Sequence, residues 1–503
     1  MRCTSWSEPC SPPRACCSPF SPRVRGRRRS PRPPARPPDH TAHCRRHASG
    51  EPAASAVHRR RPSAGPDLIR AGPVSTHPGA PVSSPARRRV ATAAVATLLI
   101  TPLASCGSGS GGSSAPLRVT ANVTDRSSMD AVVSAFRKSH PDIEVDVTYA
   151  DTDTQQRSLG KQLAGGEGPD VFTVWPGNGN PASVQALEAD GHLWDLSARE
   201  FASQVPEGAR PVTEVDRHAY VVPVNYSGIG VIYSKRALAA LGAEEPKEWK
   251  DLLKLCRTAR ENGTVLLALG NKTPWVTQLI SYALAATTVY ASTPDFDEKM
   301  RDADASFAGS GWTEAFSKYL EMNEQGCFND LPLETTYEKT LQMVSGGRAV
   351  GVVQVASSLA ELQSASPEAQ FGFFALPAGN DAERTRMPGA VSAAYGVNAH
   401  SGRLDDALVF ADFLGSAEGQ NLYNRGGATL PAIPNDEFEA SPALAELTER
   451  QRGGTTVPFM DQLWPHPGVQ QQHFAQVKAL FDGSATPEQA AAALDRAYRT
   501  RPQ

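Results

Sequence analysis

"LRVTANVTDRSSMDAVVSAFRKSHPDIEVDVTYA", Leu117 to Ala150, decides the fold class. Its first seven residues, Leu117 to Val123, alternate apolar and polar, the signature of a strand with one face in a core. In "SSMDAVVSAFRKSHPD" the apolar residues Met129, Val132, Val133 and Phe136 recur at helical spacing behind a Ser/Asp start, and Pro141 stops the helix. "IEVDVTYA" is a second strand. A strand, a helix and a strand at this spacing make a βαβ unit, and βαβ units build parallel sheets.

The same alternation continues outward. "QQRSLGKQLAGGEGPDVFTVW" reads as a helix, a Gly-rich turn and a short buried strand ending on Trp175. Ligands of open α/β sheets bind beyond the carboxyl ends of such strands, so Trp175, Pro176, Gly177 and Asn178 sit where a cleft belongs. "YVVPVNYSGIGVIYSKRALAALG", Tyr220 to Gly242, reads as two strand-like runs joined through "PVNYSG" and followed by a helix. "EEPKEWKDLLKLCRTARENG" is an amphipathic helix with Trp249, Leu252, Leu253 and Cys256 on one stripe and Gly263 beyond its end. "AVGVVQVAS" is a buried strand behind the helix "TTYEKTLQMVSGGR"; "DDALVFADFLGSAEGQNLYNRGG" is a helix, and "ATLPAIPN" a loop. The chain closes on two helices, "PGVQQQHFAQVKALFDG" and "TPEQAAAALDRAYRT", with no internal repeat. A body of about 400 residues exceeds one core and calls for two lobes.

Upstream the composition changes. Residues 1–82 are rich in Pro, Arg, Ser and Ala without apolar periodicity, too little to offset chain entropy, so disorder is expected. "ARRRV" followed by the 15-residue "VATAAVATLLITPLA" then has the charged and apolar regions of an export signal too short for an ordinary membrane-spanning helix. "LASC" with the tether "GSGSGGSS" resembles the end of a bacterial lipoprotein signal, in which the cysteine, here Cys106, is lipidated and becomes the N-terminus. The alternative is a plain N-terminal anchor. Because such a signal belongs at a chain start, translation is expected to begin downstream, at Val74 or Val82; a genuine basic extension with nucleic-acid or surface affinity is the other reading. Residues 1–105 hold 18 Arg and no Lys against four acidic residues, whereas residues 106–503 hold 32 basic and 49 acidic ones. An acidic body of that balance disfavours nucleic acid. Only Cys256 and Cys327 of the eight cysteines belong to the body, leaving either a disulfide in an oxidising compartment or two separate buried thiols.

The order "GEGPDVFTVW", "YVVPVNYSGIGVIYSKRALAALG", a Pro-x-x-Trp-x-x-Leu helix, "VSGGRAVGVV", "GAVSAAYGVNA" and "ALVFADFLGSAEGQ" resembles the extracellular solute-binding proteins of ATP-binding-cassette (ABC) importers, in their carbohydrate-binding branch. The resemblance covers Leu117 to Tyr498. It implies a two-lobed α/β fold of the periplasmic-binding-protein type II kind, each lobe a sheet flanked by helices, joined by crossover strands near Val222 to Tyr226, Gly389 to Tyr395 and Leu430 to Pro434. The expected organisation is a basic extension at 1–82, a lipoprotein signal at 83–105, a lipidated Cys106 and tether through 116, one lobe from 117–222 plus 393–432, and a second from 223–392 plus 433–503. It further implies a monomer outside the cytoplasm, fixed to the outer face of the membrane by lipid only, with a carbohydrate ligand and ABC permease subunits as partners, and no cofactor or metal.

A pyranose has apolar C–H faces that lie on aromatic rings and a rim of hydroxyls that donate and accept, so its site needs Trp or Tyr ringed by Asn, Gln and Asp. Trp175 and Asn178 match the family's contacts after the "PDV" strand. Asn225 and Tyr226 lie at the first crossover, as ligand contacts or as hinge residues. Trp275 in "LGNKTPWVTQL" follows Asn271 and a proline at a strand-to-helix turn, better placed for a site than for a core. Gln354, Tyr395 and Trp464 in "DQLWPHPG", beside Asp461, complete the candidates, with packing as the competing reading. Trp194, Trp249 and Trp312 are assigned to packing. Where many relatives carry an aromatic beyond the "AVGVVQ" strand, this chain has Val355, Ala356 and Ser357, which argues against copying maltose specificity.

Catalytic motifs are missing from the sequence: no H-E-x-x-H, no G-x-S-x-G, no phosphate loop and no Cys-x-x-Cys. The body's histidines, His140, His192, His218, His400, His466 and His473, are scattered, and Asp405 and Asp406 stand at a helix start, where carboxylates favour the helix dipole. Two other readings keep the fold: a receptor for a non-sugar solute such as a polyamine or oligopeptide, and a glycan-binding sensor or adhesin without transport.

Overall fold

The structure, a computed structural model, describes residues 115–500. The basic extension, the signal segment, Cys106 and its tether lie outside the described residues. The opening stretch forms the expected parallel unit: Leu117–Asn122 pairs in parallel with Val145–Ala150 and with Val171–Val174. Helix Arg126–Ser139 crosses between the first two strands and buries Met129, Val132, Val133 and Phe136. Its start is a short turn, Val123–Asp125, capped by Asn122, whose side chain accepts from the Thr124 N–H at 3.0 Å.

The region read as two runs is a single 14-residue strand, Val221–Ser234. Gly228 and Gly230, which look like a break in the sequence, mark close approach instead. A Cβ on Gly228 would meet Leu447 Cδ1 at 2.7 Å, and one on Gly230 the Phe374 carbonyl oxygen at 2.6 Å. This strand runs antiparallel to the 11-residue strand Met387–Val397, with a register shift around Ser392. The longer strand also pairs with Ala349–Val355 and the shorter one with Val171–Val174, so one ten-stranded curled sheet passes through both halves. Leu430–Pro431 lies against Tyr226 and Asn225 as the third crossing segment.

The apolar core divides accordingly. One cluster draws on Leu117 to Val224 and Ala393 to Ile433; a small one around Phe172 and Leu187 abuts the same strands; the largest gathers Ile229 to Ala390 with Leu444 to Leu494. The fold is thus two-lobed α/β. The segment from Asp405 to Gly427 is two helices, Leu404–Gly415 and Ala417–Gly427, parted where the extended Ser416 caps the second through the Gly419 N–H. Cys256, on helix Trp249–Glu261, is bonded to Cys327 with the Cα atoms 4.5 Å apart. Trp249 and Trp312 are core, but Trp194 is 38% exposed: it lies outside any helix, so the packing stripe assigned to it does not exist. Among the described residues no helix is long and apolar enough to cross a membrane.

Candidate binding cleft

A cavity of about 90 Å³ lies where the two lobes meet, against Ser392 and Ala393 of the crossing strand. One wall comes from the ends of parallel strands: Asn122 closes Leu117–Asn122, with Thr124 and Asp125 in the turn beyond, and Trp175 follows Val171–Val174. The other comes from Trp275, Gln278 and Tyr282 on the segment after Val265–Ala268, from Val355 and Ser357 at the end of Ala349–Val355, and from Phe459, Asp461, Gln462 and Gln470. The site therefore stands beyond the carboxyl ends of the strands of both lobes.

Of the residues singled out from sequence, the cavity brings together Trp175 and Trp275, one from each lobe. Trp275 is only 9% exposed and is propped on Tyr337, ring centroids 5.1 Å apart; Tyr337 is itself fixed by hydrogen bonds to Glu361 at 2.7 Å and Ser358 at 2.9 Å. The other candidates do not line it. Asn178 spans the lobes, donating from Nδ2 to the Pro465 carbonyl oxygen at 2.8 Å. Asn225 is buried and its Oδ1 accepts from the Ala393 N–H at 2.8 Å, at the register shift between the two long strands. The Tyr226 hydroxyl donates to Thr456. Side chains alternate along Ala349–Val355, and it is Val355, not Gln354, that faces the cavity; both Gln354 amide atoms are buried without a partner. Tyr395 is fully buried against Tyr423, and Trp464 is packed among Trp312, Phe307, Tyr282 and His473. Sequence reasoning passed over Asn122, Thr124 and Asp125, although the rule that found Trp175 applies to them, and Tyr282, Gln278 and Phe459, for which no local signal exists.

Two carboxyls shape the electrostatics. Burial pushes Asp125 up to about 7, against the opposing hydrogen bonds of Tyr423 and Thr124. Burial likewise pushes Asp461 up to about 6, opposed by a backbone hydrogen bond and by Gln470, whose Nε2 donates to Oδ2 at 2.9 Å. The Thr173 hydroxyl and the Gln462 Oε1 also line the cavity, on side chains 1% and 5% exposed, without a protein partner. Apolar ring faces with amide, hydroxyl and carboxyl groups around them suit a compact ligand carrying many hydroxyls. Among the described residues no group of three His, Cys, Asp or Glu side chains is placed to hold a metal.

A family model described as bacterial extracellular solute-binding protein matches residues 120–421. A protein of Rhizobium meliloti (strain 1021), named a probable sugar-binding periplasmic protein, is 28% identical over 177 residues, which is 32% of this chain and 42% of that protein's length. Among solved structures, one from a study of xylan utilization by a thermophilic Caldanaerobius polysaccharolyticus aligns with a TM-score of 0.66 at 19% identity, covering 76% of this chain and 99% of that one. An ABC transporter solute-binding protein of Thermotoga lettingae, bound with α-D-tagatose, aligns at 0.64 and 18% identity over 76% of this chain and 100% of its own.

Proposed function

This chain belongs to the bacterial extracellular solute-binding proteins, a family of binders rather than enzymes, and on that premise we propose that it captures a sugar or oligosaccharide between its lobes and hands it to the permease of an ABC importer. The observation that carries the reading is the pairing of Trp175 and Trp275 from opposite lobes across one cavity rimmed by Asn122, Gln156, Gln278 and Gln470. Two indoles supply faces for a pyranose, and the amides supply the donors and acceptors its hydroxyls need. The sugar-binding name of the Rhizobium meliloti relative and the tagatose in the Thermotoga lettingae structure support the same ligand class. A cavity of about 90 Å³ is below the ~300–1,000 Å³ of small-molecule sites, so admission of a sugar requires the lobes to part about the crossing strands.

In this reading residues 117–222 with 393–432 and residues 223–392 with 433–503 are the two moving bodies, and the protein works outside the cytoplasm as a monomer held by a lipid on Cys106. A thermal-shift screen of mono- and oligosaccharides on the purified protein tests the ligand class, because binding to the folded state raises the melting point by mass action. A sugar that raises it is expected; a polyamine or peptide that does so while every sugar fails refutes the sugar. For the anchor, Cys106→Ala is expected to leave the membrane fraction, and a mature N-terminus upstream of Cys106 by mass spectrometry refutes it.

A further inference from the structure

The charge in the cleft is of one sign. Asp125 from one lobe and Asp461 from the other line the cavity, and among the described residues no Lys, Arg or His does. Three cations outside the lining face other groups. Arg126, next to Asp125 in sequence, lies over the Tyr149 ring at 3.9 Å, while Arg157 and Lys478 act on Asp153, outside the lining. The buried carboxyls have hydrogen-bond donors but, among the described residues, no counter-charge in the lining: the Thr124 hydroxyl donates to Asp125 and the Gln470 amide to Asp461. That these walls await a ligand follows from the Thr173 hydroxyl and the Gln462 Oε1, both more than nine-tenths buried, lining the cavity and unpartnered in the protein. Each can meet a ligand hydroxyl, Thr173 as donor or acceptor and Gln462 as acceptor.

We infer, resting on the sugar reading of this cleft, that the site selects its ligand by charge: it takes neutral and amine-bearing saccharides and excludes those carrying a carboxylate or phosphate. A saccharide anion would lose its water among two carboxyls with no cation to replace it, the costly case of an unpaired buried charge. A hydroxyl donates to a carboxylate at no such cost, and an ammonium supplies the missing counter-charge.

The test is titration calorimetry on the purified protein at pH 8, above the values to which both carboxyls are raised. The probes are glucose, glucosamine and glucuronate, galactose, galactosamine and galacturonate, and the β-1,4 tetramers of glucose, glucosamine and galacturonate. In every set with a binding member, the uronate is expected to bind at least about tenfold more weakly than its neutral counterpart, and Asp461→Asn to narrow that gap. A uronate bound as tightly as its neutral counterpart overturns the inference and leaves the sugar reading standing. Silence of all nine, with spermidine bound in a parallel titration, overturns the sugar reading itself.

Discussion

Gly177 and Gly179 bring the loop after Val171–Val174 against the segment from Asp461 to Pro465, and replacing them separates closure from stability. A Cβ on Gly177 would lie 2.1 Å from the Gln462 carbonyl oxygen; one on Gly179 would lie 2.5 Å from Asp461 Oδ2 and 2.8 Å from its carbonyl oxygen. Gly177 also has φ +79°, where an alanine costs roughly 1–2 kcal/mol however the lobes are arranged. Gly179 is not among the positive-φ residues, so Gly179→Ala adds only the contact across the lobes. Overfilling of this kind costs about 1–3 kcal/mol, and here the cost falls on the closed arrangement alone. At ~1.4 kcal/mol per tenfold, Gly179→Ala should weaken sugar binding by about fivefold to a hundredfold or more through a smaller closed population, with the unfolding midpoint of the ligand-free protein nearly unchanged. Gly177→Ala should lose both binding and stability. Calorimetric titration with the best sugar of the thermal-shift screen, alongside urea unfolding, reads the two quantities. Unchanged affinity in Gly179→Ala would show that these segments do not meet when ligand is bound, and would refute the reasoning.

Other outcomes follow from single contacts. Trp175→Ala and Trp275→Ala should each weaken sugar binding by ~1–3 kcal/mol in a titration while circular dichroism stays native, whereas Trp249→Ala, which empties a core position, should cost ~3–5 kcal/mol of unfolding free energy. Asp125 is raised from 3.8 to about 7, so its contribution to stability is present below its unfolded value and lost as pH rises through about 7. Asp125→Asn should therefore stabilise the ligand-free protein at pH 8 by on the order of 4 kcal/mol and not at pH 4, and equal effects at both in denaturant titrations would contradict it. Reducing the Cys256–Cys327 bond, which spans 71 residues, should cost about 4 kcal/mol by loop entropy, visible as a lower melting point in dithiothreitol.

The parallel unit at the front was legible because Met129, Val132, Val133 and Phe136 carry both the helical period and the core. The unity of Val221–Ser234 was not, because Gly228 and Gly230 read as punctuation when only a distant Leu447 and Phe374 explain them. The cleft shows the same limit. Trp275 and Trp464 look alike in sequence, each beside a proline, yet one lines the cavity and the other is 2% exposed among aromatic rings contributed from Tyr282 to His473. Which of two such residues meets a ligand is set by partners far off in sequence, Tyr337 for Trp275 and Tyr282, Phe307 and Trp312 for Trp464. Parity along a strand decides between Gln354 and Val355, and only the register with Gly230 and Ile229 settles it.

The division of the first core between Leu117 to Val224 and Ala393 to Ile433 constrains how the chain can be made. Synthesis delivers the amino end first, and strand Val171–Val174 waits for its partner Met387–Val397, as helix Arg126–Ser139 waits for Phe410 and Phe413. The first lobe cannot finish until most of the polypeptide has left the ribosome. Until then its non-local pairings are unmade, because loop-closure entropy must be met before contacts between distant residues reward it.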